Sequence, residues 1–396
     1  MSFLRFSAIF PRVSPLPPSS TPPAGEILAA IRALADSPVL RERRRAPGGI
    51  RIMEVCGGQT HAILRHDLAA LLPEGISFLH GPGCPVCVTP GAFIDRAIAA
   101  ALSPARPVLC SYGDLLRVPS TTGNSLARAR AAGADVRIVT SPLQALDFAR
   151  RAPSRPVLFL AIGFETTAPA NALPLKLARG NGISNFALLA SQFLIPPVLR
   201  HLFAGAPAAD RPDALLAPGH VAAVIGAAPF RALAGELRLP VAVTGFTPAE
   251  ILLGVRAALA ALAGEAPPFA NAYPAVVSES GNLPAQAAMR EVFAVSDATW
   301  RGLGPIPDSG LSPRPEFCQG LAKTADFCQT LANSPDAVSA PTPAACPAGE
   351  ILSARRLPPS CPHFATVCTP DHPLGAPMVS PEGACAAYYL HRRPGA

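Results

Sequence analysis

Short runs of hydrophobic residues alternate with helically spaced ones along most of the chain. The first four runs, each long enough for a buried strand, lie at 50–55, 76–79, 107–110 and 135–139. Four more lie at 156–162, 185–190, 214–217 and 241–243. Strands that alternate with helices form parallel sheets with helices on both faces. The pattern predicts two similar, Rossmann-like α/β domains, at 25–150 and 151–270, whose loops face each other across a cleft.

The pattern is weaker at both ends of the chain. Residues 1–24 are rich in proline and serine, which predicts a flexible leader. Beyond residue 271 one helix is expected near 284–293, and 300–310 is interpreted as an ordered loop rather than a helix or strand. Few regular elements are expected after that, where four cysteines fall. We therefore predict a loop-rich C-terminal module over 271–396.

The composition narrows the class of protein. Of 396 residues, 49% are hydrophobic and 15% are charged, which is typical of a globular chain. No apolar run reaches the roughly 18 residues of a membrane span, and the N-terminus lacks the apolar core of a secretory signal. The net charge of +7 is scattered, and its one cluster, at 41–45, has no interleaved aromatic residues. These features predict a cytoplasmic protein that binds neither membranes nor nucleic acid.

Two of the predicted strands end at cysteines. Cys56 follows the first strand in the run CGGQTH, where two glycines let a ligand approach the backbone and His61 adds a possible base. Cys84 and Cys87 follow the second strand in HGPGCPVC, and such a pair can form a redox disulfide or bind a soft metal. The carboxyl ends of parallel strands share one edge, so these thiols are expected to be neighbours. The alternatives are a buried, unreactive Cys56 and two inert thiols in a tight turn.

Four cysteines near the C-terminus have the spacing of a metal or cluster site. Cys346, Cys361, Cys368 and Cys385 are separated by 14, 6 and 16 residues. Four thiolates can hold a tetrahedral zinc ion or a [4Fe–4S] cluster. The wide spacing lacks the paired knuckles of structural zinc and favours the cluster. Four unrelated buried cysteines are the remaining alternative.

Polar residues also follow two strands of the second predicted domain. Glu165, Thr166 and Thr167 follow one strand in GFETT, a turn without the lysine and glycine spacing of a phosphate loop. Glu165 could orient a ligand, act as an acid or base, or cap the next helix. His220 follows another strand, where a structural histidine is the more common finding. These four residues are candidates for the lining of the cleft.

Seven segments, in order from about residue 26 to 390, together resemble the HypD family of [NiFe]-hydrogenase maturation factors. The segments are MEVCGGQTHA (53–62), HGPGCPVCVTP (80–90), SYGDLLRVP (111–119), GFETTAP (163–169), PGHV (218–221), WRGLGPIPDSGL (300–311) and MVSPEGACAAYY (378–389). The Cys-x14-Cys-x6-Cys-x16-Cys pattern is similar to the family's cluster signature. The resemblance therefore implies a [4Fe–4S] cluster held by Cys346, Cys361, Cys368 and Cys385.

The resemblance also implies a role and partners. Members of the family form, with a small HypC-type chaperone, the scaffold on which the Fe(CN)2CO group is assembled. A HypE-type carrier donates the cyanide, and the finished group passes to the hydrogenase large subunit. Such a protein is a maturation scaffold with redox and ligand-transfer chemistry rather than a conventional turnover enzyme.

Residue roles follow from the matched segments. Cys56 is implied as the ligand of the Fe(CN)2CO iron, with His61 close by, since low-spin iron(II) favours soft thiolates. Cys84 and Cys87 are implied as a redox pair. Glu382, in the PEGAC segment, is implied in the path between that pair and the cluster.

The chain departs from the family in two places. Ala348 and Pro377 stand where many relatives have further cysteines, and neither position belongs to the four-cysteine signature. Residues 312–345 are poorly matched. The rival interpretation is a stand-alone thiol oxidoreductase or electron carrier, with the Cys-x-x-Cys pair as its active site and Cys56 structural.

Overall fold

The computed structural model describes residues 21–204, 206–207, 210–318 and 346–392. Most of the predicted leader and most of the poorly matched stretch lie outside these ranges. Within them, no helix is both long enough and apolar enough to cross a membrane.

The described residues form strands and helices in near-regular alternation, and the predicted α/β class is confirmed. The strands are β1 (Ile50–Glu54), β2 (Ile76–His80), β3 (Val108–Ser111), β4 (Val136–Ile138), β5 (Val157–Gly163), β6 (Phe186–Phe193), β7 (Ala214–Pro218), β8 (Val241–Thr244), β9 (Phe269–Asn271), β10 (Phe293–Trp300) and β11 (Gly304–Pro313). The helices are α1 (Ala24–Ala35), α2 (Pro38–Arg45), α3 (Gly57–Arg65), α4 (Leu68–Leu71), α5 (Pro85–Val88), α6 (Gly91–Leu102), α7 (Leu126–Ala131), α8 (Pro142–Arg151), α9 (Ala168–Gly180), α10 (Ile195–Phe203), α11 (Gly219–Ile225), α12 (Ala228–Leu237), α13 (Pro248–Leu262), α14 (Leu283–Val292), α15 (Ala348–Leu352), α16 (Ala376–Val379) and α17 (Ala384–Arg392).

The strands form two sheets. The first has five parallel strands in the order β2-β1-β7-β8-β9, and the second has six in the order β10-β11-β6-β5-β3-β4. In the second sheet β3 to β6 are parallel, whereas β10 and β11 add an antiparallel hairpin at one edge. Every residue of β5 is buried, as expected of a parallel strand covered on both faces.

The two sheets do not follow the order of the sequence. β1 and β2 share a sheet with β7, which comes after residue 210, while β3 and β4 join β5 in the other sheet. The expectation that consecutive strands fill one sheet and then the next is wrong. Strands from both 25–150 and 151–270 contribute to each sheet. Hydrophobic periodicity locates strands but carries no information about which of them pair.

The segment 300–310 is not a loop. β10 and β11 pair along most of their length, and the hairpin joins β6 through Gly310 and Leu311. Pro305 and Pro307 are unusual in a strand because proline cannot donate a ladder hydrogen bond. They are tolerated in this hairpin near the edge of the sheet, where fewer N–H groups need a partner.

Local signals determine where several helices begin. The hydroxyls of Ser37, Ser125 and Ser141 accept hydrogen bonds from backbone N–H groups in the first turns of α2, α7 and α8. α13 begins with a capping box, in which the side chains of Thr247 and Glu250 each bond the other residue's backbone. Each such cap contributes about 1 kcal/mol. The caps therefore help to define the loops that connect strands to helices.

Residues 346–392, here called the C-terminal module, pack against the loops that follow the strands. This part of the predicted module of 271–396 is loop-rich, and its three helices are short, whereas residues 283–313 form α14 and the β10–β11 hairpin of the six-stranded sheet. Its own apolar cluster includes Ile351, Phe364 and Met378. α17 contacts α3, and α16 contacts α5. The module thus packs against α3, which follows Cys56, and against α5, which contains Cys87.

Candidate functional site

Cys56 lies where the strand order of the five-stranded sheet reverses. Along the chain β1 is followed by β2 on one side, and β7 is followed by β8 on the other. The loops after β1 and β7 therefore diverge and leave a crevice, which is the usual position of a ligand site in such sheets. Cys56 stands in this crevice in an extended conformation, directly before α3.

A buried carboxylate holds the backbone of Cys56. Glu54, at the end of β1, is only 1% exposed, and its Oε2 accepts a 2.7 Å hydrogen bond from the Cys56 N–H. Its Oε1 accepts a bond from the Thr60 hydroxyl and lies 2.6 Å from His80 Nδ1. The other ring nitrogen of His80 lies 3.2 Å from the Tyr388 hydroxyl. A chain of hydrogen bonds thus runs from the C-terminal module to the Cys56 amide.

Glu54 and His80 were missed in the sequence. Each is a polar residue at the last position of a hydrophobic strand, in IRIME and ISFLH. A charged residue is costly to bury without a partner. Polar residues at the ends of two apolar strands expected to be neighbours were therefore a usable signal for a buried pair.

The surroundings of the Cys56 thiol keep it protonated. The residue is partly exposed, but protein atoms desolvate the sulfur. This burial, together with the negative charge of Glu54, raises the pKa of the thiol to about 12. Backbone N–H groups of Gln59 and Gly58 bond the sulfur and act in the opposite direction. A metal ion that binds here must displace the proton.

The Cys-x-x-Cys pair forms a disulfide next to Cys56. Cys84 and Cys87 are joined by an S–S bond of 2.03 Å and are both buried. The turn before them touches the Cys56 loop at Gly83, where a Cβ would lie 2.3 Å from the Cys56 nitrogen. The Gly57 N–H donates to the Gly83 carbonyl over 3.2 Å. Glycine at position 83 therefore allows the two loops to meet backbone to backbone.

The C-terminal module closes another side of the site. A Cβ on Gly57 would lie 2.6 Å from the Cβ of Glu382. Burial, with a contribution from the Asp114 charge, raises the pKa of Glu382. His61 Nε2 donates a hydrogen bond to the Pro381 carbonyl. The disulfide and Glu382 line one small cavity, so the structure brings these predicted residues together.

The four C-terminal thiols lie close enough to influence one another electrostatically. Burial raises the pKa of Cys346 to about 11 and also raises that of Cys368 and Cys385, and the other thiols of the set, including Cys361, add to these shifts. The Cys368 sulfur accepts a 3.4 Å hydrogen bond from the Leu374 N–H. As the side chains stand, no three His, Cys, Asp or Glu residues in the described part of the chain are arranged to hold a metal ion.

The start of α16 connects the disulfide with the first of these thiols. Cys87 Sγ lies 3.9 Å from the Ala376 carbonyl oxygen. A Cβ on the preceding residue, Gly375, would lie 2.4 Å from Cys346 Sγ. Two consecutive backbone residues therefore span the distance between Cys87 and Cys346.

The residues of the GFETT turn make their contacts next to the six-stranded sheet and not at the Cys56 crevice. Glu165 Oε1 accepts a 2.9 Å bond from the Ile195 N–H, at the start of α10 rather than of the following helix. Its Oε2 has no hydrogen-bond partner among the described atoms, and burial raises the pKa of the carboxyl to about 7. The Thr167 hydroxyl donates to the Phe164 carbonyl within the turn, and Thr166 is partly exposed. These contacts belong to the six-stranded sheet.

The ring of Phe246 lies between His220 and the Cys56 loop. Its exposed imidazole stacks on the Phe246 ring, with centroids 3.6 Å apart. A Cβ on Gly58 would lie 3.3 Å from that ring. His220 therefore borders the crevice through Phe246.

The fold and the site define an α/β protein whose thiols gather where the strand order of a parallel sheet reverses. A family model described as HypD, hydrogenase formation hypA family, matches residues 30–392. The hydrogenase maturation factor HypD of Rhizobium leguminosarum bv. viciae is 42% identical over 346 residues, which cover 86% of this chain and 88% of that protein. The factor of the same name from Escherichia coli (strain K12) is 42% identical over 349 residues, covering 87% and 90%. That of Rhodobacter capsulatus is 40% identical over 370 residues, covering 92% and 94%. The chain belongs to the HypD family of hydrogenase maturation factors, which confirms the resemblance.

Proposed function

We propose that this chain serves, together with a HypC-type chaperone, as the scaffold on which the Fe(CN)2CO group of a [NiFe]-hydrogenase is assembled. A HypE-type carrier donates the cyanide, and the completed group passes to the hydrogenase large subunit. The observation that carries the proposal is the meeting of Cys56, the disulfide and Glu382 at the crevice of the five-stranded sheet. The names of the relatives, hydrogenase maturation factors, support the same role.

In this role Cys56 binds the iron of the Fe(CN)2CO group, which is cargo rather than a resident cofactor. Iron(II) with cyanide and carbonyl ligands favours soft thiolate donors. Cys56 is partly exposed as a residue, which supports access of a carrier to the crevice, although protein atoms cover the sulfur itself. Because the pKa of the free thiol is about 12, iron binding at neutral pH releases one proton. Glu54, bonded to His80, holds the Cys56 backbone while the iron's ligands change.

The disulfide stores electrons beside the iron. Reduction of the disulfide takes up two electrons and two protons and yields two thiols, and oxidation of these thiols back to the disulfide releases them. Cys87 contacts Ala376, and the preceding residue, Gly375, lies beside Cys346. This short path supports electron exchange between the disulfide and the C-terminal module. Glu382 lines the cavity next to the disulfide and can hold a proton at its carboxyl group.

The residues of the C-terminal module fit a [4Fe–4S] cluster. Cys346, Cys361, Cys368 and Cys385 would hold it, and the mutual influence of their charges supports a common site. The Leu374 N–H is already bonded to one of the sulfurs, and such donors tune the thiolate ligands of clusters. Apolar side chains of the module surround the set. When bound, the cluster supplies electrons one at a time.

A stand-alone thiol oxidoreductase is the rival function. Cys84 and Cys87 are 3% and 0% exposed. A buried disulfide is poorly positioned to exchange with a thiol of another protein, because exchange requires direct attack on one of its sulfurs. The burial therefore supports a disulfide that serves the neighbouring site.

Replacement of Cys56 by alanine separates the two functions. The Cys56→Ala variant, copurified anaerobically with a HypC-type chaperone, should keep its brown cluster but lose the infrared bands of iron-bound cyanide and carbonyl. Cys110→Ala, which removes a thiol buried in the core of the six-stranded sheet, is the control and should retain those bands. Wild-type amounts of the iron group on Cys56→Ala would overturn the scaffold proposal.

A further inference from the structure

A large cavity lies beside the hairpin of the six-stranded sheet. This hairpin cavity has a volume of about 800 Å³ and is bounded by the first turn of α6, the loop at 120–121, the end of β6 and both hairpin strands. The hairpin bonds to β6 through Gly310 and Leu311, and the cavity opens next to these pairs. Its volume is typical of a small-molecule site.

A buried arginine stands in the wall of the hairpin cavity. Arg301 is 6% exposed, and its guanidinium donates to the Thr89 carbonyl over 2.7 Å and to the Pro119 carbonyl over 2.9 Å. In the described ranges no carboxylate lies within ion-pair distance of it, although Cys346 and then Asp95, which is bonded to Thr121, exert an electrostatic influence on it. A buried cation without an ion-paired carboxylate is costly. The position therefore favours an anion in the cavity.

Two further features of the wall indicate a ligand. Gln192, at the end of β6, is 2% exposed, and neither its Nε2 nor its Oε1 has a hydrogen-bond partner among the atoms that the structure describes. Buried amides are normally paired. The twelve-residue helix α6 begins at the cavity with Gly91, and no described side chain caps it. Its first N–H groups and its dipole favour negative charge.

The charges of the hairpin cavity are positive inside and negative at the rim. Arg96, on α6, and Arg301 both line it. Asp297, on the hairpin, also lines it but is exposed. An anion that enters therefore passes the Asp297 carboxylate and reaches the Arg301 guanidinium.

We propose that the hairpin cavity binds a small anionic molecule through a phosphate or carboxylate group, with the Arg301 guanidinium as the charged anchor. A planar guanidinium presents paired donors that match either oxyanion. The main-chain N–H of Arg301 donates to the Val88 carbonyl over 2.7 Å, so the anchor is bonded to the helix that carries Cys87. The proposal does not require the scaffold function, since it rests on a separate cavity, although the charge of Cys346 also acts on Arg301.

Calorimetric titration of the full-length, anaerobically purified protein tests this site. Inorganic pyrophosphate and citrate are titrated separately, with sodium chloride at matched ionic strength as a third arm. We expect saturable binding of pyrophosphate or citrate with one site per chain, and the probe that binds identifies phosphate or carboxylate chemistry. Heats no larger than those of sodium chloride with both probes overturn the proposal.

Substitutions with opposite effects check that the probe occupies the hairpin cavity. Asp297→Asn removes the negative charge at the rim and should tighten binding about two- to fivefold. Asp147→Asn removes an exposed carboxylate that pairs with Arg150 elsewhere on the surface, and it should leave binding unchanged. Arg301→Lys keeps a charge but loses the guanidinium fork and should weaken binding at least about tenfold.

Gln192→Met keeps the test decisive if Arg301→Lys does not fold. Loss of the amide should weaken probe binding about fivefold. It should also raise the melting temperature of the ligand-free protein, because an unpaired buried amide is removed. If Gln192→Met and Asp297→Asn both bind the probe with wild-type affinity, the hairpin cavity is not the site and the proposal fails.

Discussion

The closest contact of the thiol site is made by a residue without a side chain. A Cβ on Gly83 would lie 2.3 Å from the backbone nitrogen of Cys56, which cannot turn aside as a flexible side chain could. We expect Gly83→Ala to separate the two loops and to lower the free energy of unfolding by about 2–3 kcal/mol. Chemical denaturation measures the loss.

Gly235→Ala is the matched control for this substitution. Among the described residues, nothing lies within 4 Å of a Cβ at position 235 in α12. Alanine is a better helix former than glycine, so this variant should gain about 0.5–1 kcal/mol. If Gly83→Ala is as stable as the wild-type protein, the two loops are not held in the contact described.

Burial makes the stability of the fold depend on the protonation of Glu165. Its pKa is raised from 4.5 to about 7, because the carboxyl is desolvated. The folded state therefore retains a proton that the unfolded chain has already released, and stability is lost as the pH rises from about 4.5 to about 7. Glu165→Gln removes this loss and should gain up to about 3 kcal/mol over wild type between about pH 5 and pH 8. Urea unfolding across this range measures the difference.

Glu279→Gln is a control in which the pKa shift has the opposite sign. The guanidinium of Arg231 lowers the pKa of the exposed Glu279, so its titration is complete below about pH 5. The variant should show no pH-dependent gain over the same range. If the difference in the free energy of unfolding between Glu165→Gln and the wild-type protein does not change with pH, this carboxyl ionises normally despite its burial.

At the residue scale, the sequence predicts the reactive groups better than the groups that hold them. Cys56 and the disulfide could be expected to meet, because the ends of parallel strands share one edge. The contact of His61 with Pro381 joins positions 320 residues apart, and nothing in the local sequence indicates it. Glu54 was overlooked because a polar residue at the end of a strand also resembles the start of a loop.

Two histidines bond the last helix, α17, to α3. His61 Nε2 donates to the Pro381 carbonyl, so its Nδ1 accepts the Nε2–H of His391, 3.2 Å away. Burial, with the positive charges of His61, Arg65 and His66, lowers the pKa of His391. Because the folded state lowers the pKa of His391, the fold loses stability as the pH falls below 6.5, the ordinary pKa of histidine.

We therefore expect α17 to be less protected at about pH 5.5 than at about pH 7.5. Hydrogen–deuterium exchange, corrected for intrinsic rates, measures the protection, and α6 is the internal control. His391→Gln should remove most of the difference. Equal protection of α17 at both pH values in the wild-type protein would contradict the prediction.

At the element scale, buried parallel strands were predictable and the edge hairpin was not. β5 runs from Val157 to Gly163 against an expected 156–162, because a continuous apolar run of this length has few other solutions. β11 contains Pro305 and Pro307, which normally indicate a loop. Its pairing with β10 and β6 is a tertiary contact that local propensity does not contain.

Each sheet depends on segments that are far apart in the chain. A fragment of residues 25–150 contains β1 to β4, but β1 lacks β7 and β3 lacks β5. In this fragment, buried residues such as Ile52 and Leu109 lack the neighbouring strands with which they pair. We expect this fragment to be unfolded alone and to fold as a noncovalent complex when it is coexpressed with 151–396. Circular dichroism and copurification measure these outcomes, and a cooperative transition of 25–150 alone would contradict the prediction.

At the scale of the whole molecule, the sequence predicts the class of fold but not its connections. Alternating strands and helices restrict the chain to parallel sheets covered by helices. The chain crosses from the first sheet to the second after β2, returns before β7 and crosses again after β9. Each crossing contains at least one helix, as do the connections between parallel strands within one sheet, so the order of elements alone does not distinguish them.

The hydrogen-bond chain from Tyr388 through His80 to Glu54 has a consequence for biosynthesis. During translation Cys56 leaves the ribosome early, whereas Tyr388 leaves after all eleven strands of the described chain. The Cys56 amide therefore receives its complete support only when synthesis has passed Tyr388. An interrupted translation product would carry the cysteine but not its finished setting, so under the proposed function iron would be loaded onto finished chains in preference to nascent ones.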